Sequence, residues 1–208
     1  HGFHRSSFYD DGSGFGGFGG FGGHGSAGFD QKGQDLNASV SVTFDEAAFG
    51  CDKRITLQDQ SGKAQTLEVH IPAGIDSGKS IRLRGKGMPG TGKGGAGDLL
   101  LKVTVQPKAG YERKGMDVYT TVSIPYTTAV FGGEARVHTL YGDVMCKIKE
   151  GTQSGSRIRL RGKGIVSMKD ANVHGDQYVT VQIQVPRHLN TEARQKLMEY
   201  KKAAAGGR

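Results

Sequence analysis

The sequence predicts an all-β fold built as two tandem, duplicated β-sandwich domains, and three observations predict it. Seven residues occur twice unchanged, Ile81-Arg82-Leu83-Arg84-Gly85-Lys86-Gly87 and Ile158-Arg159-Leu160-Arg161-Gly162-Lys163-Gly164, 77 positions apart. Apolar residues around them recur at every second position, and Gly, Asp and Ser clusters separate the short apolar runs. The duplication extends outward: Asp35-Leu36 aligns with Asp117-Val118, Ala48-Phe49-Gly50 with Val130-Phe131-Gly132, Ser77-Gly78 with Ser154-Gly155, and Gly97-Asp98 with Gly175-Asp176. A period this long exceeds the roughly 20 to 50 residues of solenoid repeats, so each copy reads as a small domain.

The elements follow in chain order. Residues 1–34 read as a flexible linker, because positions 12–28 hold 10 Gly and six of the nine Phe precede position 35. Glycine maximises the entropy lost on ordering, and isolated Phe side chains have no aliphatic neighbours to pack against. Leu36, Ala38, Val40, Val42 and Phe44 then alternate with polar residues, the period of a half-buried strand. Further strands are expected at 54–58, 66–71, 80–84, 99–105, 118–124, 135–139, 143–148, 157–161 and 178–185. Short helical turns are expected near 45–49 and 127–131, each closed by a Gly able to take a left-handed conformation. One longer helix ends the chain: Asn190 is its candidate N-cap, Glu192 suits the positive N-terminal end, and Ala193, Leu197, Tyr200 and Ala204 form one stripe. The domains divide as 35–110 and 111–188, with 189–208 the terminal helix and tail.

Charge and cysteine usage narrow the function classes. The chain carries 28 Lys and Arg against 20 Asp and Glu, and residues 1–34 hold a net −1, which leaves +9 on the body. The basic residues are scattered along strands and turns without forming a block, so a solvated face competes with a polyanion site. Cys51 and Cys146 occupy non-equivalent places in the repeat, and neither a disulfide framework nor a zinc pattern follows. No metal or other cofactor is expected. No apolar run approaches the roughly 20 residues of a membrane span, and no signal segment opens the chain. A soluble, reducing, cytoplasmic setting is expected. The chain opens without Met inside a linker-like segment, and it reads as a fragment of something longer.

Several motifs imitate chemistry. Gly74 to Ser80 resembles a phosphate-cradling loop, but has three residues between its glycines where the motif needs four, and its Lys79 becomes Ser156 in the second copy. Gly85-Lys86-Gly87-Met88-Pro89-Gly90 matches a dinucleotide fingerprint by letter, yet no helix follows it. In Arg-Leu-Arg-Gly-Lys-Gly, alternation turns Ile and Leu inward and Arg outward. No nucleophile turn, paired carboxylate or Cys-His arrangement is present, so no enzymatic activity is expected. Asp98 and Asp176, each after Gly, suggest a turn or strand-start role.

At this point a family resemblance emerges. The Gly/Phe-rich lead, Val42 to Gly50, Ile71-Pro72-Ala73-Gly74, Ile81 to Gly90 with Gly97-Asp98-Leu99, and Tyr111 to Val118 together resemble the C-terminal region of DnaJ-type J-domain co-chaperones. No His-Pro-Asp occurs here, so the stimulation of a DnaK-type ATPase that the resemblance attaches to that motif does not reside in this chain. The zinc module of other members would interrupt the first domain between Gln58 and Thr66, where only Asp59-Gln60-Ser61-Gly62-Lys63 stands, which resembles the zinc-free subclass. The resemblance implies a homodimeric factor that holds unfolded polypeptide clients and delivers them to a DnaK-type chaperone. It places the client groove at Ala38, Val40, Lys53, Ile55 and Leu57 with Leu101 at its floor, and dimerisation on the last helix at Leu189, Ala193, Leu197 and Tyr200. An exposed strand edge with apolar pockets suits that task, since backbone hydrogen bonds tolerate any sequence. A basic nucleic-acid-binding module remains the alternative, and a structural extracellular pair of β-sandwiches a third.

Overall fold

A computed structural model describes residues 30–58 and 64–206. The first repeat is a sandwich of two layers. One is a three-stranded sheet ordered β1-β5-β4, formed by β1 (Leu36–Val42), β4 (Ser80–Leu83) and β5 (Leu99–Val105). The other is the antiparallel pair β2 (Cys51–Gln58) and β3 (Ala64–Ile71). β1 runs parallel to β5 in the register Leu36 to Leu99, and β4 lies antiparallel on the other side. Alternation buries Val40, Val42, Leu67, Val69, Ile71, Leu99, Leu101 and Val103 in one core between the layers. At about 25 cal/mol per Å² of apolar surface, such burial is what holds the layers together.

The second repeat restates this plan. β7 (Asp117–Pro125) runs parallel to β11 (Gln177–Gln184), β10 (Arg157–Leu160) pairs antiparallel with β11, and β8 (Gly133–Thr139) with β9 (Gly142–Ile148) forms the second layer. One strand has no counterpart among the described residues of the first repeat. β6 (Glu112–Lys114) folds back through Gly115 and Met116 onto the outer edge of β7, giving the order β10-β11-β7-β6. The sequence pattern missed it, because three residues with no apolar alternation leave no periodic signal.

Short helices cap both sandwiches, α1 (Phe44–Phe49) and α2 (Tyr126–Phe131). The glycines that close them, Gly50 and Gly132, have φ of 79° and 76° with extended ψ of 158° and 178°. The positive φ expected there is present, but the backbone leaves the helix extended instead of in a left-handed turn. A side chain at either position would be strained. The terminal helix α3 (Thr191–Ala205) starts where expected: Asn190 Oδ1 accepts from the Ala193 N–H at 2.7 Å.

The strand-start role expected of Asp98 and Asp176 takes a specific form. Asp98 accepts from the Gly85 N–H at 2.8 Å and from Arg82 Nε at 2.7 Å, and its own N–H donates to Asp35 at 2.7 Å. Asp176 repeats the set with Gly162, Arg159 and Asp117. The duplicated Arg-Leu-Arg-Gly segment is therefore a structural latch: Ile and Leu turn inward as expected, and one Arg of each copy is tied to an aspartate. These contacts hold both carboxyls below the usual carboxylate range, chiefly through the glycine N–H and then through the arginine.

The two repeats are pinned together. Arg113 on β6 donates to the carbonyls of Gly74 at 2.8 Å and Ile75 at 2.7 Å and pairs with Asp76 at 2.6 Å. Phe44 and Ala48 of the first repeat pack with Val118 and Ile165 of the second, and the rings of Phe44 and Tyr111 lie 5.9 Å apart. Gly74 belongs to this seam: a Cβ there would meet the Val166 carbonyl at 2.1 Å, so only glycine fits.

Candidate functional site

Among the described residues β1 is the edge strand of its sheet, hydrogen-bonded to β5 on one side, and β2 is paired with β3 alone. Lys53 shows that these two strands lie side by side. Its Nζ reaches from β2 to the Ser41 carbonyl of β1 at 3.2 Å and to Glu46 at 3.1 Å. The seam between the edge of β1 and β2 is thus closed at one end by a lysine and lined along its length by apolar residues.

Local sequence positions that lysine. Thr43 and Glu46 form a capping box at the start of α1: the Glu46 N–H donates to Thr43 Oγ1 at 3.2 Å, and the Thr43 N–H donates to Glu46 Oε2 at 2.7 Å. Such a box satisfies two of the orphan donors of a helix start. It also fixes the carboxylate that holds Lys53. The Thr43 N–H, followed by Lys53, draws the Glu46 pKa below its ordinary value. The sequence signal for this was Thr43-x-x-Glu46, which the reading of the short helix passed over.

The residues expected to form a groove are brought together. Ala38, Ile55 and Leu57 are half-buried and pack against the core that contains Val40 and Leu101, and Leu101 is fully buried beneath them. Lys53 differs from the others, since it spans the seam and does not line it. The turn joining β2 to β3, where a zinc module would enter, lies outside the described residues.

The equivalent seam of the second repeat is closed. By the repeat alignment Thr120 stands for Ala38, Val137 for Ile55, Thr139 for Leu57 and Gln177 for Leu99. Each of these four is buried, Val137 to 2 % exposure and Gln177 to 0 %. Gln177 Nε2 donates to Thr120 Oγ1 and to the His138 carbonyl, both at 2.9 Å, which staples the β11–β7 sheet to β8. β6 covers the beginning of the β7 edge as well. The first repeat has Leu99 and Ala38 in place of the staple.

The phosphate-loop imitations are turns whose donors are committed. The Gly78 N–H donates to the Val103 carbonyl, the Gly87 N–H to the Gly97 carbonyl and the Gly85 N–H to Asp98, so these donors are not free to cradle an anion.

On α3 no residue is buried. Leu189, Leu197 and Tyr200 are 41 %, 44 % and 55 % exposed, and Ala193 is half-buried. A recess along the helix is lined by Leu189, Leu197, Met198, Tyr200 and Ala204 with Arg194 and Lys201 at its rim. Met198 was missed, because the stripe was drawn through Leu197 and Tyr200 alone. Tyr200 lies beside Tyr126 of α2, and this neighbour raises the Tyr126 pKa. Among the described residues no helix is long and apolar enough to cross a membrane.

Residues 36–186 match the family of the DnaJ C terminal domain. The chain is similar to the chaperone protein DnaJ of Lachnospira eligens, with 46% identity over 142 residues, covering 68% of this chain and 38% of that protein. The DnaJ chaperone proteins of Burkholderia pseudomallei and Burkholderia thailandensis are 45% identical over 145 residues, covering 70% of this chain and 38% of each relative. The chain therefore spans 38% of the length of the curated relatives it matches. With the duplicated sandwich, the paired aspartate latches and the match over both repeats in hand, the chain belongs to the DnaJ family through its C-terminal domain.

Proposed function

We propose that this chain is the client-holding part of a cytoplasmic DnaJ-type co-chaperone, acting without chemistry or cofactor, and that extended, unfolded polypeptide segments add to the free edge of β1. The observation that carries this reading is the open seam of the first repeat beside the stapled seam of the second. A free strand edge supplies backbone hydrogen bonds to any sequence, and Ala38, Val40, Ile55 and Leu57 over Leu101 select apolar side chains. Delivery to a DnaK-type partner belongs to the same proposal and rests on the family. So does dimerisation: α3 presents Leu189, Leu197, Met198 and Tyr200 with no cover among the described residues, and a second copy of the helix would bury them. Two seams on one dimer would then hold two segments of one client at a high effective concentration. Sedimentation of the chain with and without residues 189–208 tests this, with a dimer expected only when they are present.

Replacing Ile55 and Leu57 by Ser tests the seam. Two half-buried apolar contacts together contribute about 2 to 3 kcal/mol to a bound segment, a weakening of peptide affinity of roughly 30- to 150-fold. A folded variant, shown by circular dichroism, that still binds an unfolded peptide at full strength would place the client site elsewhere.

The nucleic-acid reading draws support from one face. Tyr119 and Tyr178 stack at 5.2 Å on the outer side of the second sheet, with Lys114 over Tyr119 at 4.8 Å. Against it, Arg82, Arg159 and Arg113 are engaged by Asp98, Asp176 and Asp76. Salt separates the two readings: phosphate binding falls log-linearly with salt, and apolar peptide binding changes little.

A further inference from the structure

We propose that residues 30–35 form a two-state strap clamped against the start of β1, and that docking of the strap sets how well β1 is formed as a template for a client strand. Its consequence for clients rests on the seam of β1 and β2 being where they bind.

Both repeats thread the residue ahead of their first sandwich strand through a slot walled by glycine. In the second, Met116 lies in it: the Ile165 N–H donates to the Met116 carbonyl at 2.7 Å, the Gly164 N–H to the Gly175 carbonyl at 2.9 Å and the Gly175 N–H to the Ile165 carbonyl at 3.0 Å. In the first, Gln34 takes that place. The Met88 N–H donates to its carbonyl at 2.9 Å, the Gly87 N–H to the Gly97 carbonyl at 2.8 Å and the Gly97 N–H to the Met88 carbonyl at 2.9 Å. The walls leave no room, since a Cβ on Gly175 would meet the Met116 carbonyl oxygen at 2.1 Å and one on Gly97 the Gln34 carbonyl oxygen at 2.1 Å.

What holds the threaded segment differs. In the second repeat, Ile165 is 1 % exposed and packs with Phe44, Ala48 and Val118, Arg113 pins the approach to the slot, and Tyr111 lies against Phe44. In the first, residues 30–35 are Asp, Gln, Lys, Gly, Gln and Asp, with no apolar side chain to bury, and Met88 is only half-buried. Their hold is polar: the Gly33 N–H donates to the Gly95 carbonyl at 2.9 Å, the Thr91 N–H to the Gln31 carbonyl at 3.0 Å and the Lys93 N–H to Asp30 at 2.7 Å, and the exposed Lys32 stands 3.7 Å from Asp98. The wall they dock on, residues 90–97, has five glycines in eight residues, so ordering it costs much backbone entropy. Polar contacts at the surface add little net stability, because water replaces them on opening. A segment held in this way opens locally while the sandwich stays folded.

Release reaches the client edge through two hydrogen bonds. The Asp98 N–H donates to Asp35 at 2.7 Å, and the Leu36 N–H donates to the Asp98 carbonyl at 2.8 Å, where the β1–β5 ladder begins. Leu36 pairs with Leu99 and Ala38 with Leu101, so loss of the strap frays the end of β1 that carries Ala38. A client strand that must wait for its template binds more weakly in proportion as the template is less often formed. The strap thereby joins client affinity to the state of the segment leading into β1.

Amide hydrogen exchange on the full chain, read together with peptide anisotropy, tests this. In the wild type, Gly33, Met88 and Thr91 exchange together, about a hundredfold or more faster than Ile165 and Val118. Gly94→Ala is the wedge, because its Cβ would meet the Gln31 carbonyl oxygen at 2.0 Å while the backbone at Gly94 is not left-handed. It should strip the protection of those three amides, leave Ile165 and Val118 protected, and weaken binding of a fluorescein-labelled apolar peptide about threefold, as for a template formed about a third of the time. Lys32→Glu sets a like charge beside Asp98 without touching the slot, and should do the same in smaller measure. Ile55→Ser with Leu57→Ser is measured beside them. Strap amides as slow as Ile165 and Val118 in the wild type, or still protected in Gly94→Ala, would overturn the strap. If Gly94→Ala strips their protection but keeps wild-type peptide affinity while the seam substitutions weaken it, the coupling is overturned and the client seam stands. If Ile55→Ser with Leu57→Ser leaves the peptide unaffected, the seam itself falls, and the strap's role in client binding with it.

Discussion

The two repeats share a topology, an aspartate latch and a core pattern, yet among the described residues the outer edge of β1 is unpaired while β6 covers the start of the β7 edge. Four substitutions at equivalent places make the difference. Leu99, Ala38, Ile55 and Leu57 in the first repeat become Gln177, Thr120, Val137 and Thr139 in the second. The exchange replaces an apolar lining with a mostly polar one that is stapled by hydrogen bonds and buried. β6 then covers part of a strand edge that is unpaired among the described residues of the first repeat. Duplication preserved the scaffold, and the side chains along one seam decide whether it can accept a strand. The second repeat is tied instead to the first, through Arg113.

The largest expected effect breaks the comparison from the closed side. Val137→Ser puts a hydroxyl into a fully buried apolar site and leaves a void, costing about 2 to 4 kcal/mol of stability. Peptide affinity should not change while the protein remains folded. Its counterparts in the open seam behave oppositely, because Ile55 and Leu57 are half-exposed: they cost binding far more than folding. Urea unfolding and peptide anisotropy on both variants measure the contrast. Equal losses of affinity from both would mean that the closed seam also takes clients.

The contrast also shows what could be read from the residues. Strand positions, the duplication and the N-cap at Asn190 follow from period, repeat and capping chemistry, which are local. The open seam was placed by resemblance, and the facing of β1 and β2 across it is a tertiary fact that alternation cannot supply. Gln177 was invisible for a related reason. A polar residue at an inward strand position reads as an exception until the partner on β8 is known, although aligning Gln177 with Leu99 would have exposed the exchange. β6 lacked any periodic signal, and the Arg113 pin depends on carbonyls nearly forty residues away.

A smaller effect sharpens the role of the staple. Gln177→Leu restores the residue of the first repeat and removes two buried hydrogen bonds, leaving Thr120 and the His138 carbonyl to lose a donor, at about 1 to 2 kcal/mol. Adding Thr120→Ala removes one of the groups left unpaired. The double variant should therefore be destabilised by less than the sum of the single changes, since replacing both partners by apolar groups can be nearly neutral. A double-mutant cycle by chemical denaturation reads the coupling. Strict additivity would mean that the hydrogen bond between Gln177 and Thr120 does not contribute to closing the seam.

The smallest expected effect compares the two latches. Asp98 is buried and receives the Gly85 N–H, Arg82 and, at 3.7 Å, Lys32 from the segment ahead of β1. Asp176 is more exposed and is held by Gly162 and Arg159, with Arg161 adding its charge from further away than an ion pair. Asp98→Asn should lower the melting temperature more than Asp176→Asn at neutral pH, because it weakens more charge-assisted bonds in a drier place. Both carboxyls are depressed in the folded state, so their stabilisation is fully present above the ordinary carboxylate value near 4 and fades as pH falls through the folded value. The gap in melting temperature between the wild-type chain and either Asn variant should accordingly narrow below pH 4, with the wild type losing stability toward the variants. Calorimetry at pH 7, 5 and 3 follows it. A gap that stays constant across that range would show that the latches act through shape alone, and a larger effect at Asp176 would overturn the ranking of the two repeats.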